Sequence, residues 1–163
     1  MAEIPTHFLF PATLFVSARP HYISTILGSC VSVCLWDPVL KYGGMNHFML
    51  PFWNGQGLAT PKYGNIAIPR LIEKMQALGS KKTDLQAKVF GGGEVIDIVY
   101  SNFLIGERNI QVARDILKEE KLQIVTSSTG GKLGRKIIFG TETGIVKHRF
   151  IQKISLINIF KNQ

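Results

Sequence analysis

The sequence holds only two cysteines, Cys30 and Cys34. They stand four residues apart on one predicted strand, too awkward a placement for a disulfide. That excludes a secreted disulfide scaffold and points to a reducing, cytoplasmic compartment. No stretch approaches the roughly 18 consecutive apolar residues that a membrane-spanning helix needs, so a soluble protein without membrane insertion is expected. Phe8 to Ala18 is apolar enough to resemble the core of a leader, but Glu3 stands where a basic start belongs and Pro11 interrupts the run. It reads as a first strand. The apolar tail Ile154 to Phe160 is broken by Ser155 and Asn158, and reads as a closing strand or a sticky terminus. The Gly-x-x-x-x-Gly-Lys and Gly-x-Gly-x-x-Gly patterns are missing, so Gly91-Gly92-Gly93 reads as tight turns and not as a phosphate cradle. Cys30, Cys34 and His47 lack a fourth ligand at a recognisable spacing, and His7, His21 and His148 are scattered. Neither a metal nor a cofactor is expected. Internal repeats and low-complexity linkers are also missing.

Acidic residues are few, 11 against 19 lysines and arginines, for a net charge of +8. A basic surface attracts acidic partners, membranes or nucleic acid. No nucleic-acid motif is present, and the aromatic residues lie in apolar strand contexts instead of alternating with the basic ones. The sign of the charge fits attraction to an acidic protein partner, and it fits equally a basic solvated surface with no partner.

The chain of 163 residues, 45% of them apolar, is near the usual size for one domain with one core. Ile68, Leu71, Ile72, Met75 and Leu78 form one stripe and predict a helix over 66–78, with Pro69 in its first turn and Gly79 as its stop. Ile110, Ala113, Ile116 and Leu117 predict a second helix over 107–119. Strands are expected over 13–18, 22–26, 30–36, 45–50, 85–90, 123–129, 135–139 and 145–150. Two helices against many consecutive strands argue for an α+β sandwich, mostly antiparallel, and against a doubly wound parallel sheet. No amphipathic seam is left over for self-association, which makes a monomer the expected state.

Cys30 closes the turn Leu27-Gly28-Ser29-Cys30 and opens an apolar strand, and His47 follows seventeen residues on. A thiol is a nucleophile chiefly as thiolate, and an imidazole is the commonest group to activate it. Val31 to Trp36, the turn signal Asp37-Pro38 and the run His47 to Pro51 read as a β-hairpin. A four-residue loop, 37–40, pairs Trp36 with Lys41 and puts Cys30 directly opposite His47 on the same face, whereas a slip of one residue would separate them. Cys34 reads as packing, since no turn exposes it.

The run Ser24-Thr25-Ile26-Leu27-Gly28-Ser29-Cys30-Val31-Ser32-Val33-Cys34-Leu35-Trp36-Asp37-Pro38, followed by Gly43-Gly44-Met45-Asn46-His47-Phe48-Met49-Leu50-Pro51, resembles the signature of the CheD family. These are the chemoreceptor glutamine deamidases of bacterial and archaeal chemotaxis. Tyr63-Gly64, Ala87 to Gly93, Ile105 to Asn109, Thr129-Gly130-Gly131 and Gly134-Arg135-Lys136 recur in the family's order, so the resemblance runs from about Pro11 to Arg149. It departs at Ser128, where the family commonly has an acidic residue.

The resemblance implies one deamidase domain over 1–163, a layered α/β/β fold, and conversion of receptor glutamines to glutamates. Cys30 would attack the glutamine carboxamide and form a thioester. His47 would move the protons, and the Gly28-Ser29 turn would receive the oxyanion, with Asn46 beside it for substrate binding. The family supplies the group that orients the base as a threonine hydroxyl upstream of the turn. Six residues before Cys30 stands Ser24, while the matching threonine is Thr25, and both carry the hydroxyl the chemistry needs. The implied partners are the receptor's cytoplasmic helical bundle and a CheC-type phosphatase. Two other classes stay open: a regulatory adaptor that docks these partners, and a cysteine acyl hydrolase acting on a receptor methyl ester.

Overall fold

Val31, Ser32, Val33, Cys34 and Leu35 are all buried. A strand buried on both faces must lie in the middle layer of three. The computed structural model describes residues 3–95 and 104–152, and the layers follow from this strand. In chain order the elements are β1 Thr6–Phe8, β2 Thr13–Ser17, β3 Tyr22–Leu27, β4 Val31–Asp37 and β5 Tyr42–His47. Helix α1 Gly64–Leu78, β6 Gln86–Gly91, α2 Ile105–Glu119, β7 Ile124–Thr129, β8 Gly134–Gly140 and β9 Val146–Ile151 follow. The five-stranded sheet has the order β2-β5-β4-β6-β7 and the four-stranded sheet β1-β3-β8-β9. Each is mixed, with β6–β7 parallel in one and β1–β3 parallel in the other.

Val31, Val33 and Leu35 pack with Ile68, Leu71 and Met75 of α1 and with Val112, Ala113 and Leu117 of α2. Cys34 packs the other way, with Met45 and Phe90, against Ile23, Leu27, Ile137 and Phe139 of the second sheet. This is the α+β sandwich expected. Helix α1 starts two residues early, so Pro69 lies inside it and not in its first turn. The missing N–H there leaves the Asn65 carbonyl without its intrahelical bond. The single strand expected across residues 13–18 is preceded by a separate one, β1, because the chain turns at Ala12 with φ +65°. The closing strand read into Ile154 to Phe160 lies outside the described residues.

The β4–β5 hairpin differs from expectation in a way that matters for the site. Asp37 pairs with Tyr42, so the loop is 38–41 and not 37–40. Asp37 is the reason: Oδ1 accepts the Val39 and Leu40 N–H groups at 2.9 and 3.0 Å, and Oδ2 accepts the Ser80 hydroxyl at 2.7 Å. Its side chain caps the turn, so its backbone belongs to the strand. β5 begins at Tyr42 instead of Met45 because Gly43 and Gly44 are strand residues. A Cβ on Gly44 would lie 2.5 Å from the Val16 side chain, and only glycine admits that approach.

The shift moves the register by two. Val31 bridges Phe48, so Cys30 lies across from Met49, and His47 lies across from Ser32. Two is an even number, so Cys30 and His47 keep a common face as diagonal neighbours. Asp37→Ala, which leaves two turn amides and the Ser80 hydroxyl without their acceptor, is expected to lower stability by roughly 2–4 kcal/mol in urea unfolding. A loss below about 0.5 kcal/mol would contradict the role of this carboxylate in holding the turn.

Candidate active site

Cys30 ends the short segment 28–30 between β3 and β4, and every carbonyl of that segment is tied down. Gly93 N–H donates to Gly28 O at 3.0 Å and Gly92 N–H to Cys30 O at 2.9 Å, while Asn109 Nδ2 donates to Ser29 O at 3.0 Å. The glycine run is more than the tight turn read from the sequence. Gly91 has φ +108°, and a Cβ there would lie 2.2 Å from Cys30 O, so a side chain would push the Cys30 segment away. Peptide N–H and C=O groups point in opposite directions. The Ser29 N–H therefore points away from Gly93 and the Cys30 N–H away from Asn109, and among the described residues neither amide donates to another residue.

His47 ends β5 and is 2% exposed. Its Nδ1 lies 2.8 Å from Thr25 Oγ1, which donates its own proton to Leu9 O at 2.7 Å. A hydroxyl has one proton. Since that proton goes to a carbonyl, Nδ1 must be the donor to Thr25, and Nε2 carries the lone pair. Nε2 is buried and has no hydrogen-bond partner among the described residues. The contact crosses between the sheets, from β3 to β5.

Strand alternation decides between the two hydroxyls. Ile23, Thr25 and Leu27 point inward and are buried. Ser24 points outward and lines a groove with Thr6, Tyr22, Lys136, Ile138 and Lys147, so it cannot reach His47. This corrects the spacing of six that gave Ser24. Asn46 also departs from expectation: its neighbour His47 faces the second sheet, so Asn46 faces the helices. There Asn46 Oδ1 accepts the Val33 N–H at 2.8 Å, away from any substrate. Among the described residues no three His, Cys, Asp or Glu side chains gather as metal ligands. Cys34 is buried in the core between the sheets, where desolvation raises its pKa despite the Lys88 charge.

The site residue missed in the sequence is Asn109. It is fully buried on α2 and donates to both Ser29 O and Met49 O at 3.0 Å. The available signal was its place on the stripe Gly106, Asn109, Ile110, Ala113, Leu117, all buried: a polar side chain on a core-facing stripe needs a partner.

Burial sets the charge state. Desolvation pushes the Cys30 thiol up to about 11, with its own backbone N–H pulling slightly back. Desolvation also pulls His47 down from 6.5 to about 4. At neutral pH Cys30 is therefore a thiol and His47 a neutral imidazole, and Nε2 is free to act as a base. Linkage gives this a sign. Between pH 6.5 and about 4 the unfolded chain protonates His47 and the folded chain does not, so stability falls as the pH drops through that window. By pH 5 the loss due to His47 is expected to be about 2 kcal/mol in urea unfolding. His47→Gln should flatten the profile by that amount; identical slopes for both proteins would contradict it.

Residues 49–150 match the family model described as CheD chemotactic sensory transduction, a span that begins beyond Cys30 and His47. Longer matches come from whole relatives. The chain is 52% identical over 145 residues to a Trichlorobacter lovleyi protein named "Probable chemoreceptor glutamine deamidase CheD", covering 89% of this chain and 90% of the relative. A Sulfurimonas denitrificans protein of the same name is 47% identical over 152 residues, covering 93% and 97%. A Rhodospirillum rubrum protein of that name is 41% identical over 157 residues, covering 96% and 89%. No helix among the described residues is long and apolar enough to cross a membrane. With a family match over most of its length and relatives aligned nearly end to end, this chain belongs to the CheD family.

Proposed function

We propose that this protein hydrolyses the carboxamide of selected glutamine side chains in methyl-accepting chemoreceptors, leaving glutamate and ammonia, with Cys30 as nucleophile and His47 as proton carrier. The names of its relatives support the reaction. The observation that carries the residue assignment is the proton count at Thr25, which leaves His47 Nε2 as an acceptor on the face that Cys30 shares.

The steps follow from the resting charges. Cys30 Sγ attacks the amide carbon while Nε2 takes the thiol proton, so the thiolate forms only as it is consumed. The amide oxygen becomes an oxyanion, and the Cys30 and Ser29 amides supply its hydrogen bonds. Nε2 then hands its proton to the departing nitrogen, ammonia leaves, and a thioester remains. A water molecule gives a proton to Nε2 and attacks the thioester carbonyl. Cys30 departs, recovers the proton and returns as thiol. Thr25 holds the ring in the tautomer that each transfer requires, and its bond to Nδ1–H strengthens when the ring becomes cationic.

In this reading the enzyme works as a monomer in the cytoplasm, where the receptor's helical bundle lies, and a CheC-type phosphatase is a second partner. The net charge of +8 favours approach to an acidic bundle.

Intact-mass analysis of a receptor cytoplasmic fragment tests this. The unmutated protein is expected to add about one mass unit per modified glutamine, the difference between amide and acid, while Cys30→Ala and His47→Ala add none. Thr25→Val should lower kcat about 10- to 100-fold. A receptor that binds the protein and never changes mass would favour the adaptor reading, and loss of a methyl ester in place of ammonia would favour the esterase. Alkylation of Cys30 by iodoacetamide should rise steadily with pH toward about 11. A plateau at neutral pH would mean a preformed thiolate and contradict the sequence of steps.

A further inference from the structure

The β4–β5 ladder is irregular where the site forms. Regular pairing ends at Cys34 with Met45, Val33 N–H is taken by the Asn46 side chain, and a single bridge, Val31 with Phe48, remains. One residue further on, where Cys30 lies across from Met49, Asn109 closes the gap from below. Its Nδ2 reaches Ser29 O and Met49 O, both at 3.0 Å. Both partners are carbonyls, so the amide orientation is fixed by chemistry: turned over, Oδ1 would face two oxygens.

We propose that Asn109 is a positioning residue for the oxyanion site. It acts by locking the Ser29–Cys30 peptide so that the Cys30 N–H faces the reacting carbonyl oxygen. The inference rests on Cys30 being the nucleophile. In a planar trans peptide the Ser29 C=O and the Cys30 N–H are antiparallel, so anchoring the oxygen sets the direction of the hydrogen. The same side chain holds Met49, two residues after His47, and so ties the nucleophile's segment to the strand that carries the base. Helix α2 supports the segment a second time, because Gly106 lets it approach Gly92 closely and Gly92 N–H holds Cys30 O. A hydrogen bond aimed in advance contributes to the transition state because nothing must reorganise when charge develops.

The competing account is that Asn109 merely satisfies two buried carbonyls. Kinetics separates the two, with Asn109→Leu and Asn109→Asp as variants that keep the side chain's approximate size and remove the double donor. On a receptor fragment, kcat is expected to fall about 10- to 100-fold with KM within about twofold. The rate of Cys30 alkylation by iodoacetamide, a displacement that forms no oxyanion, should stay within about twofold of the unmutated protein. Asn109→Gln, which keeps the donors on a longer arm, should recover part of kcat. Unchanged kcat in either folded variant would overturn the proposal, as would a loss of alkylation in parallel with kcat. Cys30→Ala is run alongside. Residual deamidation by that variant would bring down the nucleophile assignment itself, whereas a dead Cys30→Ala with active Asn109 variants would bring down the positioning role alone.

Discussion

The hydroxyl of Thr25 has one proton, and the Leu9 carbonyl takes it. That choice leaves an acceptor facing His47 and so determines which imidazole nitrogen is free. Much of the fold serves to bring these three groups together. Leu9 is held by its N–H bond to Ser24 O, an extension of the parallel β1–β3 pair. Thr25 points inward because β3 alternates about its buried residues, and His47 arrives from the other sheet at the end of β5. The contact thus depends on the spacing of the sheets as well as on local sequence. Its bonds are also shielded from competing water.

Desolvation shapes the chemistry as strongly as geometry does. It raises the thiol and depresses the imidazole, and both shifts favour the neutral pair over the ion pair. A thiol kept protonated is a weak nucleophile toward small electrophiles and oxidants. Reactivity then requires a bound amide whose developing charge the site can stabilise. The segment 28–30 suits that task, since its carbonyls are occupied by Gly93, Asn109 and Gly92 and the Ser29 and Cys30 N–H groups each point opposite to the carbonyl of their own peptide.

Both helices and all but one strand were legible in the sequence because their patterns are strong, each helix having an apolar stripe and β4 alternating between two buried faces, while the layering came from the family resemblance. The common face of Cys30 and His47 was legible too, although the register was not. Locating the turn required knowing that the Asp37 carboxylate would cap Val39 and Leu40, a choice made by three hydrogen bonds and not by residue type. Ser24 and Thr25 are adjacent and chemically alike, so only the inward face of β3 separates them. Asn46, expected to bind substrate, is next to His47 in a strand and so faces the opposite way. Asn109 and Gly91 pack against the Cys30 segment from 79 and 61 positions away in sequence. Contacts at such separation are made by tertiary packing, which no local pattern encodes.

The proton position on the His47 ring can be observed directly. Nitrogen-15 NMR of His47 at pH 7, in the unmutated protein and in Thr25→Val, reports which ring nitrogen carries hydrogen. A neutral ring protonated at Nδ1 and bare at Nε2 is expected, with that preference weakened or lost when the Thr25 hydroxyl is removed. An imidazolium, or a neutral ring protonated at Nε2 in the unmutated protein, would contradict it.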